Sequence, residues 1–289
     1  MQINIRDYLS SISYVLLTAL SFNFLGYISK NTSPFLILMV GCIIAIVFFH
    51  IVNFGSIKKI YIIFIRNKYS WLKIMIFILI NWITAFLATY YGSAFIYIFF
   101  SFSTSAMLGI VANYRQYNIR TINKLVCFVV ILLTMSLTCV YMTLTYSIII
   151  LMAIFFAIIS GVSGYCYSVE SAEFSKINNL TTSQILATRF WLLLIFSTAI
   201  VYIKGDNLVN SKILFYSCLV GLSTFIIPIY LFQHGVLKLG ASRNAIIRGF
   251  TPVTTFIIQY IIHIRYSLIE FIVSIIFSIA LVFSIIKAK

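Results

Sequence analysis

A chain of 289 residues that is 62% hydrophobic and 9% charged, with mean hydropathy +1.10, has too little polar surface to coat a soluble globule. Its net charge of +15 would suggest nucleic acid in a soluble protein; in a membrane chain the sign has to be read from where Lys and Arg fall along the loops. The only acids are Asp7, Glu170, Glu173, Asp206 and Glu270, and there is no paired-carboxylate, HExxH, GxSxG, P-loop or aspartate-rich diphosphate signature, so the chain reads as a non-enzyme without a cofactor.

A spanning helix needs roughly 20 mostly apolar residues. Stretches of that kind follow one another from end to end: Leu9–Ile28, Pro34–Ile51, Trp71–Tyr91, Ala94–Val111, Leu125–Leu144, Ser147–Tyr167, Gln184–Ile203, Ile213–Gln233, Ser242–Ile264 and Leu268–Ile286. The first is too long for a signal peptide, lacks a small-x-small cleavage site and runs at once into another span, so it is expected to stay as a helix of the mature protein. Cys42, Cys127, Cys139, Cys166 and Cys218 all lie in apolar runs without ligand spacing and read as packing residues. His50, His234 and His263 sit near span ends on separate segments, so no metal site is expected.

Loop charge orients the chain. With the N-terminus in the cytoplasm, that side receives Arg6, Lys58, Lys59, Arg66, Lys68, Lys73, Arg115, Arg120, Lys124, Lys176, Lys238, Arg243, Arg248, Lys287 and Lys289. The other side receives only Lys30, Lys204, Lys212 and Arg265, and Arg189 lies within a span. This asymmetry predicts ten spans with both termini cytoplasmic, a multi-pass protein of the plasma (cytoplasmic) membrane, and it explains the basic loops without nucleic acid.

The two halves, 1–144 and 145–289, echo each other weakly. Asn31-Thr32-Ser33-Pro34 entering the second span parallels Leu180-Thr181-Thr182-Ser183 entering the seventh, each with a Ser/Thr cap. Tyr90-Tyr91-Gly92 closes the third as Gln233-His234-Gly235 closes the eighth. Five spans per half is an odd number, so the second copy enters the membrane upside down.

The run from Tyr230 through Gln233-His234-Gly235, Lys238-Leu239-Gly240-Ala241-Ser242-Arg243-Asn244-Ala245 and Thr251-Pro252-Val253 to Tyr266-Ser267-Leu268-Ile269-Glu270 resembles the last three helices of EamA-type carriers in the drug/metabolite transporter superfamily. Ser33-Pro34 and Thr188-Arg189-Phe190 fall where that family often has a Ser-Pro helix start and an Arg-Phe pair. Two departures stand out: Leu20 to Phe24 lacks the Trp-Gly often found there, and Ile264 replaces an acid before Arg265. The resemblance implies an all-α fold of ten transmembrane helices in two inverted five-helix repeats around a central cavity.

Arg189 is the most informative residue, lying about six residues, or roughly 9 Å, into its predicted helix. Either it snorkels to the cytoplasm or pairs with Glu170 or Glu173, or it attracts a carboxylate or phosphate of a solute. Arg248 presents the same alternatives. Pro252 interrupts the ninth span and frees the carbonyl of Arg248, either as a packing kink or as a mark of the substrate path. Thr254 beside it, with Asn23, Tyr91, Ser103, Ser163, Tyr165 and Gln233 on other spans, completes the candidate substrate-binding set with Arg189 and Arg248. Each hydroxyl taken alone more often bonds its own backbone. Glu270 in Ser267-x-x-Glu270 has the form of a capping box and is expected to cap a helix, not to carry protons.

The expected function is therefore carriage of small organic metabolites by alternating access, with export of amino acids or related compounds as what the resemblance implies. The partners are a small-molecule solute and the lipid bilayer, and the chain is a monomer or homodimer. Rival readings are a choline or quaternary-ammonium importer, a flippase for lipid-linked head groups, and a non-transporting membrane enzyme or accessory subunit.

Overall fold

The computed structural model describes residues 5–29, 32–117, 120–145, 147–205, 211–262 and 267–286, with side chains at 8–29, 32–112, 124–143, 147–205, 214–262 and 267–283. Lys30, Asn31, Asp206, His263, Ile264, Arg265, Tyr266, Lys287 and Lys289 lie outside the described residues, as do the side chains of Arg6, Asp7, Arg115, Arg120 and Lys212.

All regular structure among the described residues is helical. In chain order the helices are α1 (Ile5–Ile28), α2 (Pro34–Val52), α3 (Ile57–Arg66), α4 (Lys68–Tyr91), α5 (Ala94–Tyr117), α6 (Arg120–Thr145), α7 (Ile148–Asn178), α8 (Thr182–Leu186), α9 (Trp191–Lys204), α10 (Ser211–Phe225), α11 (Ile227–Leu239), α12 (Ala241–Arg248), α13 (Thr251–Ile261) and α14 (Leu268–Ile286). Among the described residues eight helical stretches are long and apolar enough to cross a bilayer, with α8–α9 and α10–α11 each counting as one, and α14 is a shorter apolar helix. Leu16, Leu20, Val47, Phe128, Met135 and Phe155 point outward, an exterior that lipid solvates and water does not. The chain is a multi-pass membrane protein.

Three predicted spans are interrupted, the seventh and eighth where no break was expected and the ninth where Pro252 was expected to make one. The seventh breaks at 187–190, which carries Arg189 in a turn and not inside a helix. No Gly or Pro explains this; the Trp71 indole donates to the Thr188 carbonyl at 3.3 Å, and the Thr188 hydroxyl reaches the Ile185 carbonyl at 3.3 Å. The eighth breaks at Ile226, because Pro228 has no N–H for the Thr224 carbonyl four residues earlier. The ninth breaks at Gly249 and Phe250, where Pro252 frees the Arg248 carbonyl and the Thr251 hydroxyl takes it at 2.6 Å. α7 runs eleven residues beyond the predicted Tyr167 and ends at Asn179 in the left-handed conformation, φ 51°.

Of the two expected Ser/Thr caps, Thr181 forms a capping box with Gln184 on α8, whereas the hydroxyl of Ser33 makes no cap bond on α2 and is buried without a partner. The helices pack as α4 and α5 on α7, α1 on α11 and α13, α2 on α9 and α10, α5 on α12, and α6 on α14. Small residues bring them close: a Cβ at Gly161 on α7 would stand 2.4 Å from the Ser101 carbonyl of α5.

Candidate functional site

Both buried arginines sit at helix breaks, where a turn aims the side chain inward instead of along a helix surface. Arg189, 1% exposed, follows α8, and Arg248, 6% exposed, ends α12. Together they line one largely enclosed cavity of about 40 Å³ in which only a few waters fit, so an organic solute needs the surrounding helices to separate. Among the described residues no acidic side chain lines it.

The Arg189 guanidinium donates from Nη1 to the Tyr167 hydroxyl, which donates to Oε1 of Gln233, whose Nε2 reaches Ser171 Oγ at 3.3 Å. The rings of Tyr167 and Phe190 lie 5.0 and 4.6 Å from the guanidinium carbon. Of Glu170 and Glu173, the carboxylates proposed as partners from sequence, Glu170 pairs instead with Lys73 at 3.7 Å, and neither forms an ion pair with Arg189 among the described residues. Snorkelling and an acidic partner are thus both replaced by burial against aromatic faces. Arg248 lies over Phe232, Phe102 and Tyr14, at 4.5, 4.6 and 5.4 Å, with no ion pair or hydrogen bond to its guanidinium among the described residues.

Four buried polar atoms without a protein partner belong to residues of this one cavity: Nε of Arg189, Nε of Arg248 and the hydroxyls of Thr18 and Thr224. Buried polar atoms are nearly always bonded, so several unsatisfied ones on residues of one cavity mark where a polar ligand or water belongs. All four can donate toward an anion, the two Nε–H groups as they stand and the two hydroxyls by turning. Asn81 also lines the cavity, its Nδ2 held by the Ser160 carbonyl at 2.8 Å.

A wider vestibule of about 700 Å³ opens beyond, at the C-terminal ends of α1, α4, α6 and α13 and the N-terminal ends of α5, α7 and α14. Adjacent residues divide the two spaces: Phe22 lines the arginine cavity and Asn23 the vestibule. On the cavity side Phe22 meets Tyr97 at 4.4 Å and Trp82 at 6.5 Å, and Trp82 stacks on Phe225 at 4.3 Å. In the vestibule Gln259 donates to Asn23 at 2.7 Å. Glu270, expected as a helix cap, accepts the Tyr141 hydroxyl and faces this space.

No family model matches the chain, and no curated protein does. A solved structure shares this fold. Described as "Crystal structure of protein", it superposes with a TM-score of 0.67 over 98% of each chain at 11% identity, one of 23 matching chains of solved structures. At that identity the likeness concerns the fold alone.

Of the residues singled out from sequence, the structure brings Arg189 and Arg248 to the cavity, sets Gln233 behind Tyr167 and places Asn23 in the vestibule. Ser163 and Thr254 bond backbone carbonyls of their own helices, at 2.8 and 3.1 Å. Tyr165 meets Ser242 at 3.1 Å, Ser103 is buried on α5 without a partner, and Tyr91 is 39% exposed beside Phe156. Sequence reasoning did not reach Tyr14, Thr18, Tyr167, Thr224 or Phe232, because hydroxyls and aromatics are ordinary in apolar helices. The one usable signal was indirect: a buried arginine without an acid requires rings and hydroxyls nearby.

Proposed function

We propose that the chain is an EamA-type carrier of ten spans, built as inverted five-helix units 1–144 and 145–289, with both termini cytoplasmic in the plasma membrane. It moves small organic solutes bearing a carboxylate or phosphate by alternating access. Export of amino acids or related metabolites is the class and direction the family resemblance implies. The observation that carries the reading is the pair of buried guanidiniums facing one cavity without an acid. A charge at membrane depth is costly and is retained where it meets a solute or an ion path.

Helix packing supports the inverted units. Exchange α1 with α7, α2 with α8–α9, α4 with α10–α11, α5 with α12–α13 and α6 with α14. The contact of α4 with α7 then becomes that of α1 with α10–α11, α5 with α7 becomes α1 with α12–α13, and α2 with α10 becomes α4 with α9. The pairs α2–α9, α5–α12 and α6–α14 map onto themselves, as contacts across a two-fold axis must. Broken helices at the centre are where such carriers bind their cargo. A quaternary-ammonium cargo would meet two like charges in this cavity.

The test is flux of labelled carboxylates, amino acids and phosphate esters across liposomes containing the purified full chain. Flux of at least one such anion, lowered tenfold or more in Arg189→Ala and Arg248→Ala, is expected. Absence of any anion flux, or choline flux that survives Arg189→Ala, overturns the reading.

A further inference from the structure

The short helix α3 is not a span, yet it is not a water-facing loop either. Its Ile60 and Phe64 are buried, Phe64 against Trp71 and Phe174 at 5.6 and 4.9 Å. The rest of its surface, with the residues flanking it, mixes two chemistries. Phe54, Ile62, Ile65 and Tyr69 are 85, 43, 63 and 75% exposed, and Lys58, Lys59, Arg66 and Lys68 stand exposed among them. None of these four cations forms an ion pair among the described residues, and Glu170 is held by Lys73. α3 also lies at the end of the bundle opposite the vestibule, beside the end of α7, where Asn67 donates to Asn178 at 3.2 Å.

Exposed apolar side chains interleaved with unpaired cations at a bundle end match one environment: the boundary between acyl chains and anionic head groups. Water would solvate the cations and strand the apolar rings; hydrocarbon would do the reverse. We propose that α3 is an interfacial helix that binds anionic phospholipid head groups through Lys58, Lys59, Arg66 and Lys68 while Phe54, Ile62, Ile65 and Tyr69 enter the acyl boundary.

α3 and the first turn of α4 together brace the turn that carries Arg189 and the start of α9 that follows it. The Tyr61 hydroxyl of α3 accepts the Trp191 indole N–H at 2.7 Å and meets His50 Nε2 at 2.9 Å, and Trp71 donates to the Thr188 carbonyl at 3.3 Å. Two indoles thus lie next to the lipid-facing helix, and they serve as reporters.

The experiment reconstitutes the full chain in bilayers of mixed lipids in which either phosphatidylglycerol or phosphatidylcholine carries bromine at the same acyl position, and reads tryptophan quenching. Trp71 and Trp191 are expected to be quenched more by the brominated anionic lipid, and Trp82, buried at the cavity, supplies the unquenched background. Neutralising Lys58, Lys59, Arg66 and Lys68 to Gln should lower the relative affinity for the anionic lipid by roughly fivefold per charge removed. The charge-keeping variant with Lys58, Lys59 and Lys68 all changed to Arg should retain the preference. Equal quenching of the wild-type chain by the two lipids overturns the proposal, as does a preference that survives the fourfold Gln change or is lost in the Arg variant.

Discussion

Replacing Arg248 by Met separates a residue kept for a solute from one kept for the fold. The guanidinium is 6% exposed with no hydrogen bond or ion pair among the described residues, so its burial is opposed by a desolvation penalty of several kcal/mol. Its unsatisfied Nε adds about 1–3 kcal/mol to that penalty. Against this stand the faces of Phe232, Phe102 and Tyr14, worth about 2 kcal/mol or more each when desolvated. Methionine keeps the apolar stem and packs on the same rings, so gains and losses nearly cancel. Arg248→Met should unfold within about 2 kcal/mol of the parent when no solute is present, where breaking a buried structural charge pair costs about 3–5 kcal/mol. Anionic solutes, in contrast, should protect it less: at a hundredfold excess over the parent's Kd a dianion gives the parent about 2.7 kcal/mol by mass action, and the variant, binding it at least tenfold more weakly, should gain at most about 1.4 kcal/mol. Equilibrium unfolding in mixed micelles, with and without solute, measures both quantities. A solute-free loss above about 3 kcal/mol would show that the arginine holds the fold together and would refute the reasoning.

Three further outcomes follow from contacts elsewhere. Tyr167→Phe removes the hydroxyl between Arg189 and Gln233 and leaves two buried polar groups short of a partner, so unfolding should lose about 2 kcal/mol, whereas Tyr216→Phe, far from the cavity, should lose little. Gly161→Ala forces a Cβ to within 2.4 Å of the Ser101 carbonyl and should destabilise by about 1–3 kcal/mol, read by the same unfolding assay. A double-mutant cycle of Asn23→Leu and Gln259→Leu should return a coupling of about 0.6–1.7 kcal/mol for their 2.7 Å bond across α1 and α13; additivity would show that the bond contributes nothing.

The apolar helices were legible because a bilayer-spanning element must satisfy its own backbone, which writes a long apolar run into the sequence. Breaks were legible only where proline caused them. Pro252 announces the α12–α13 interruption, but the turn at 187–190 is braced by the indole of Trp71, 117 positions earlier, donating to Thr188, a contact that no local pattern announces. The two arginines were legible for the same reason as the helices, since a charge in an apolar run is costly enough to demand a purpose. Their surroundings were not: Tyr14, Tyr167 and Phe232 read as ordinary packing until the fold brings three separate segments together. Glu270 shows the opposite error, a local pattern that fits a cap while a tyrosine from α6 takes the carboxylate.

Two cations in one cavity without an acid also constrain the charge of the cargo. Arg189 lies over Tyr167, whose ring is 6.0 Å from Phe232, and Phe232 in turn faces Arg248, so both guanidiniums border a shared aromatic wall. A monoanion neutralises half of that charge and leaves the remainder desolvated once the helices close, which favours the open, hydrated arrangement over the closed one. A dianion neutralises all of it. One additional contact at about 4 Å is worth up to about 4 kcal/mol at an effective dielectric constant near 20, and desolvation of the second carboxylate offsets part of this. A surviving margin of about 1.4 kcal/mol already gives a tenfold preference. A dicarboxylate should therefore bind at least tenfold more tightly than its own monomethyl ester, a comparison that holds carbon skeleton nearly constant while removing one charge. Arg248→Met should bring the dicarboxylate down toward the ester while changing the ester little. Equal affinities in the parent protein, measured by calorimetry on the purified chain, would show that the guanidiniums do not act on one solute together, and the cargo would then have to be sought among monoanions that use Arg189 alone.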